Sequence, residues 1–308
     1  MPLRPALLAV LVALIWGANF VVIDIGLEGM PPTLFLALRF AVVLVPAIFF
    51  VPRPAAPLRD VLLLGVFMSI GQFGLLYTAL ALGMPAGIAS LVLQAQVVLT
   101  VVFAALALRE RPSAAQSVGV GVGAVGLLVV AVGRGGQTPL FALLVTVAAA
   151  ASWAIGNVIA RRLGRSGTAA QHPLAGLSVT VWSALVVPLP MLALSLVIDG
   201  PDAVGFALTH LTAPQLLSTA YTAGLASLVG YGIWNTLLAR YAASAVVPFT
   251  MLVPPVGLAT AWLVLGEIPS PAELAGGAVL LLGVALATGV IRPPRPRRAE
   301  ARELSRSA

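Results

Sequence analysis

The 48 residues from Val61 to Leu108, VLLLGVFMSIGQFGLLYTALALGMPAGIASLVLQAQVVLTVVFAALAL, contain no charged side chain. As one helix this run would measure about 72 Å, more than twice the roughly 30 Å of a bilayer's hydrocarbon core. It has to be two crossings with a turn between them, and Gly83, Pro85 and Gly87 mark that turn. Outward in both directions the pattern continues, with apolar runs of about 20 residues separated by short stretches carrying Arg, Asp, Glu, Pro or Gly. Ten runs fit, at 5–25, 33–51, 61–82, 86–108, 114–132, 139–160, 174–198, 214–238, 244–265 and 271–291. The expected fold is an all-α integral membrane protein of ten transmembrane helices, with no room for a soluble domain.

Composition agrees. The chain is 60% hydrophobic and 9% charged, against about 25% charged residues in a soluble domain. Lipid-facing helices need almost no charge, because hydrocarbon and not water surrounds them. The net charge of +7 would suit nucleic acid, but the basic residues sit in short loops and a tail and not beside stacking aromatics, so nucleic acid is not a partner. The lack of Cys removes disulfides, thiolate metal sites and cysteine catalysis. The first run, Pro5 to Ile23, is too long for a signal-peptide core and reads as a retained helix. Every basic residue is Arg, which with the Ala, Gly and Pro richness points to a GC-rich bacterial genome. The expected location is the bacterial inner membrane.

Ten crossings put both termini on one side. With that side cytoplasmic, 15 of the 17 basic residues face inward, Arg134 faces outward and Arg39 lies within the second run. Tyr77 to Ser113 can be laid on Trp234 to Ser270 without a gap, and both copies end in Glu-x-Pro-Ser, at Glu110 to Ser113 and Glu267 to Ser270. Five crossings per copy is an odd number, so the second copy enters the membrane inverted relative to the first. This predicts two inverted five-helix repeats over residues 1–134 and 135–291, a linker at Ser166 to Pro173, and a basic, disordered cytoplasmic tail over 292–308.

On these features the chain resembles the EamA family of the drug/metabolite transporter superfamily, in particular its bacterial O-acetylserine/cysteine exporter type. The resemblance is carried by WGANFVVIDIGLEGMPP from Trp16, LRFAVVLVPAIFF from Leu38, MPAGIASLVLQAQ from Met84, SWAIGN from Ser152, VWSAL from Val181, VGYGIWNTLLARY from Val229 and LVPPVGLA from Leu252. It implies ten helices in two inverted repeats and efflux of thiol-bearing or related amino-acid metabolites.

Candidate site residues come from the polar side chains inside the runs, since these are costly in a bilayer and usually face the bundle interior. Arg39 is the one charged residue well inside a run. A guanidinium can hold a carboxylate with two parallel hydrogen bonds; alternatively Arg39 snorkels or bonds helix-end carbonyls, and that packing reading is preferred. A band of amides and aromatics accompanies it: Trp16, Asn19, Gln72, Tyr77, Gln94, Gln96, Trp153, Asn157, Tyr231, Trp234 and Asn235. Gln94 and Gln96, two residues apart, cannot both face one cavity squarely. One is expected to line the pathway and the other to bond a neighbouring helix. Trp16 and Trp234 also fit an interfacial belt. Pro254 and Pro255 are expected to interrupt the ninth crossing or merely to kink it. Their counterparts in the fourth are Val97 and Val98, so the halves should differ there. The glycines at 119, 121, 123 and 126 lack the strand and Gly-Lys-Ser/Thr of a phosphate cradle and read as close helix packing, so no ATP site follows.

The acidic residues and both His fall in loops, span ends or the tail, which leaves no obvious embedded proton relay. No metal site, cofactor or catalytic set is expected. The function that fits is alternating-access export of a small amino-acid-like solute, by uniport or exchange and without ATP. The competing readings are transport of another small metabolite or drug-like solute, and a non-transporting membrane scaffold. The expected partners are a small solute and the lipid bilayer, and both a monomer and a homodimer stay open.

Overall fold

The structure is a computed structural model that describes residues 2–133, 138–164, 175–241 and 243–291. The expected linker at 166–173, the tail from Arg292, and Arg134 lie outside the described residues.

All regular structure among the described residues is helical. The helices are α1 (Leu3–Leu27), α2 (Pro32–Ala47), α3 (Leu58–Ala81), α4 (Ala86–Leu108), α5 (Ala114–Gly133) and α6 (Leu140–Gly164). They continue as α7 (Ala175–Ser183 joined to Pro188–Ile198), α8 (Pro201–Thr209), α9 (Ala213–Arg240), α10 (Val247–Leu265) and α11 (Pro271–Thr288). Nine described helices are long and apolar enough to cross a membrane. The tenth expected crossing corresponds to α2, which is apolar but stops at 16 residues, its run continuing through turns to Val51.

Two local departures have local causes. The seventh run is not one helix: a 3₁₀ turn, Ala184–Val186, precedes Pro188. Proline lacks the N–H that would bond back one turn, and its ring clashes with the carbonyl four residues earlier. The short helix α8 was not expected. It starts after Gly200, whose φ of 85° turns the chain, and carries Asp202 in its first turn.

The internal repeat shows in how helices start and break. Ser270 N–H donates to Glu273 at 2.8 Å while Glu273 N–H donates to Ser270 Oγ at 3.1 Å. Ser113 and Gln116 make the same reciprocal pair, at 2.9 and 3.2 Å. Both Glu-x-Pro-Ser motifs thus open the next helix with a capping box. In α4 the N–H groups of Gln94, Gln96 and Val97 reach back only three residues, to Leu91, Leu93 and Gln94. In α10 a 3₁₀ stretch covers Val247–Leu252. Under the repeat alignment these two irregular stretches coincide. The expectation that the halves differ here is therefore corrected: α4 is broken without a proline. Pro254 and Pro255 fall in the first turn of the regular helix from Val253, where a missing N–H costs little, and the irregular stretch precedes them. The same offset brings the π-helical segment Val66–Gly71 of α3 onto that of α9, Tyr221–Val229.

Antiparallel α5 and α11 form the closest helix pair. A Cβ on Gly119 would lie 2.6 Å from the Ala287 nitrogen, and one on Gly276 would lie 2.7 Å from the Val130 nitrogen. Gly123, Gly126 and Gly283 are similarly crowded, whereas Gly121 faces open space. Close backbone packing is therefore the use of Gly119 and Gly126, while Gly123 makes room for the Val98 side chain of α4. Gly126→Val should destabilise the protein by about 1–3 kcal/mol or more through overpacking, and Gly121→Ala should be near neutral. Thermal unfolding of the two variants in detergent distinguishes these outcomes.

Candidate functional site

A cavity of about 510 Å³ lies between α1, α2, α3, α4, α6, α7, α9 and the first turns of α10. It contains Trp16, Asn19, Arg39, Gln72, Gln94, Gln96, Trp153, Asn157, Tyr231, Trp234 and Asn235, nearly the whole predicted band. Tyr77 is the exception: it is fully buried behind the wall and reaches the site through Arg39. Pro254 and Pro255 do not line the cavity either, although Thr250 and Val253 do.

Arg39 is 1% exposed. Its Nη1 donates to Tyr77 Oη at 2.9 Å and its Nη2 to Ser227 Oγ at 3.0 Å. The guanidinium carbon stands 4.1 Å from the Phe73 ring centroid and 5.3 Å from that of Phe40. Its two terminal nitrogens thus donate to hydroxyls, with aromatic faces beside the group, and not to the helix-end carbonyls expected of a packing role. Ser227 in turn donates to the Thr222 carbonyl, which it reaches because the π-helical turn of α9 separates them by five residues.

The amides divide by what they bond. Gln94 Nε2 donates to the Thr250 carbonyl at 3.1 Å, so the break in α4 touches the break in α10. Asn157 Nδ2 donates to Gln96 Oε1 at 2.7 Å and to Thr100 Oγ1 at 3.1 Å, tying α6 to α4. Both glutamines border the cavity, since the irregular backbone between them relaxes the 100° helical spacing. Asn19 Oδ1 is buried with no hydrogen-bond partner. Trp16 donates from Nε1 to the Ala226 carbonyl at 3.0 Å, and its ring lies 5.1 Å from Tyr231 and 5.4 Å from Trp234 between centroids. These two tryptophans therefore sit in the cavity wall and not in an interfacial belt. Sequence reasoning missed Phe73, Ser227 and Thr250, because single Phe, Ser and Thr residues are unremarkable in apolar helices.

The two ends of the cavity differ. Along α6 and α9 it extends to Ala160 and Leu238, close to Arg161, which pairs with Glu110 at 2.8 Å, and to Arg240. At the other end it stops at the level of Ser90, and contacts between elements far apart in sequence lie beyond it. There Glu267 accepts from the Ala86 and Gly87 N–H groups at 2.7 and 2.9 Å. Gln215 donates to the Glu28 carbonyl, and Thr138 to the buried Glu273, both at 2.7 Å. Among the described residues no three His, Asp or Glu side chains are grouped to hold a metal ion.

The model of the EamA-like transporter family matches residues 3–132 and again 140–289, one copy in each half. The chain belongs to the EamA-like transporter family. Membership makes it a multi-pass membrane transporter and not an enzyme. It is 42% identical over 283 residues to a probable amino-acid metabolite efflux pump of Salmonella typhimurium, covering 91% of this chain and 93% of that protein. A protein of the same description from Escherichia coli is 40% identical, with the same coverage. A probable terminal-alkyne amino-acid exporter of Streptantibioticus cattleyicolor is 30% identical over 288 residues, 90% of this chain and 91% of that one. A solved crystal structure matches 96% of this EamA-like chain and 99% of its own, with a TM-score of 0.60 at 20% identity, which supports the fold alone.

Tyr77→Phe should destabilise the protein by about 1–3 kcal/mol, the cost of depriving a buried charged donor of its partner. Thermal unfolding in detergent should report that loss, with Tyr241→Phe as a control remote from Arg39.

Proposed function

We propose that this chain exports small amino-acid-like metabolites, of the cysteine and O-acetylserine kind, across the bacterial inner membrane by alternating access. The observation that carries this reading is the cavity itself, which draws amides and aromatics from both family repeats and has its more extended end at Glu110 and Arg161. Repeat-based transporters bind their solutes where the repeats meet. The descriptions of the relatives as amino-acid metabolite efflux pumps and an amino-acid exporter support the solute class.

In this reading α2 completes ten crossings in two inverted repeats, residues 1–134 and 135–291, and both termini are cytoplasmic. The Glu110 end then faces the cytoplasm and the cavity is inward-facing, loading from the side where the metabolite is made. Asn19, Gln72, Gln94 and Asn157 replace part of the water that a polar solute loses, without which desolvation would cost several kcal/mol. Trp16, Trp153, Tyr231 and Trp234 contact its apolar part. The 3₁₀ stretch Val247–Leu252, just before Pro254 and Pro255, serves as a point of bending. Export runs by uniport or exchange, driven by the solute gradient.

Reconstituted into liposomes, the protein should move labelled O-acetylserine or cysteine without an imposed pH gradient. Gln94→Leu, Asn19→Leu and Asn157→Leu should each lower the rate about tenfold at normal abundance, the equivalent of one or two lost hydrogen bonds. Parental rates in all three would remove the amides from the transport site. In cells, Ala203→Cys should react with an impermeant thiol reagent from outside and Ser166→Cys should not; the reverse pattern would invert the topology.

A further inference from the structure

We propose that the cavity sorts solutes by charge: Arg39 pairs with a carboxylate, so zwitterions and anions bind while net cations are rejected. This rests on the reading of the cavity as the transport site and adds to it the chemical group a solute has to carry.

Arg39 is the one charged residue among the described residues that line the cavity. All its partners are neutral: the Tyr77 and Ser227 hydroxyls and the faces of Phe73 and Phe40. Aromatic faces offset part of the cost of burying a guanidinium, but a cation within a membrane is ordinarily paired or turned to water. Here the positive charge has no counter-charge in the cavity wall, and a bound carboxylate would provide it.

Among the described residues two buried polar side-chain atoms lack a partner, and both point the same way. They are Arg39 Nε, a donor, and Asn19 Oδ1, an acceptor. Both side chains are more than nine-tenths buried, at 1% and 7% exposure, and both belong to the wall of this cavity. A buried polar atom without a partner is uncommon and asks for an explanation. One unused donor on a cation and one unused acceptor on an amide are complementary to the two ends of an α-amino acid. The carboxylate approaches the edge of the guanidinium left free by Tyr77 and Ser227, and the ammonium donates to the amide oxygen. The rings of Trp16, Tyr231 and Trp234 then take the apolar portion. Carboxylate recognition dominates over ammonium recognition, because charge-assisted hydrogen bonds to a guanidinium are the stronger ones.

If instead Arg39 only ties α2 to α3 and α9, its hydroxyl contacts would be the same but the cavity would be indifferent to solute charge. Matched sets of ligands separate these cases. Each set holds an amino acid, its carboxamide and its N-acetyl derivative, which at mildly acidic pH are zwitterion, cation and anion of similar shape. Sets built on cysteine, O-acetylserine, leucine and phenylalanine are titrated into the purified, detergent-solubilised protein, and thermal stabilisation is read for each member. In the wild type the amino acids and their N-acetyl derivatives should bind about tenfold to hundredfold more tightly than the carboxamides. In Arg39→Gln the preference should shrink to within about threefold, the acids losing their charged partner and the carboxamides losing the repulsion.

Carboxamides that bind wild-type protein as well as the acids would overturn the charge filter and leave the export reading standing. If no member of any set bound, the amino-acid reading would fall and the filter with it. The comparison within wild-type protein decides the matter even where Arg39→Gln does not fold.

Discussion

In hydrocarbon there is no water to satisfy a stray backbone N–H or carbonyl, so a chain that crosses a bilayer keeps its helices regular except where protein or a water-filled space can take over the freed groups. The irregular segments of this chain obey that constraint closely. The π-helical parts of α3 and α9, the interrupted ladder of α4 and the 3₁₀ stretch of α10 all contribute side chains to the one central cavity: Ser69, Ser227, Gln94 and Thr250. The Thr250 carbonyl, in the 3₁₀ stretch, accepts from Gln94. In these four segments departure from helical regularity falls where its cost can be met and fixes where polar side chains converge; the 3₁₀ turn Ala184–Val186 of α7, whose residues do not line the cavity, is an exception.

The same constraint governs Arg39. A guanidinium in a membrane interior is costly by several kcal/mol even after relaxation. Its burial is made tolerable by two hydroxyls held in fixed positions on α3 and α9 and by the Phe73 face. Ser227 can serve because its own hydroxyl hydrogen is engaged by the carbonyl five residues back, which leaves its lone pairs toward Arg39. A regular α-helix would offer the carbonyl four residues back. Backbone irregularity and the placement of the charge are therefore one arrangement.

Much of this was legible beforehand, for physical reasons that differ by residue. The 48 uncharged residues fix two crossings because length and hydrocarbon thickness are both known quantities. The Glu-x-Pro-Ser repeat predicts matching helix starts because a capping box is local chemistry, and both boxes form. The polar band was collected by the cost of polarity in lipid, and it assembles in space except for Tyr77. What was not legible depends on tertiary contact. Nothing in the residues of α4 announces its break, since no proline marks it, and Pro254 with Pro255 draws attention to a helix start and away from the irregular stretch before it. Ser227 and Phe73 matter only because Arg39 arrives from another helix. The 3₁₀ turn before Pro188, by contrast, was readable from the proline but hidden by the uniform hydropathy of its run.

Tight and loose packing are kept apart in this fold. The α5–α11 pair brings backbone against backbone through Gly119, Gly126, Gly276 and Gly283, a contact that tolerates no sliding because each glycine faces main-chain atoms of the partner. Around the cavity, contacts are made by amide and hydroxyl side chains and by aromatic rings, groups that can change partners without opening a void. Glu267 stands between the two regions. It belongs to the turn that leads into α11, yet both its oxygens hold the first N–H groups of α4, a cavity-lining helix. A carboxylate at a helix start satisfies donors that no carbonyl within the helix can reach and complements the helix dipole. The motif that opens α11 with a capping box therefore also anchors the start of an interrupted, cavity-lining helix to the closely packed α5–α11 pair.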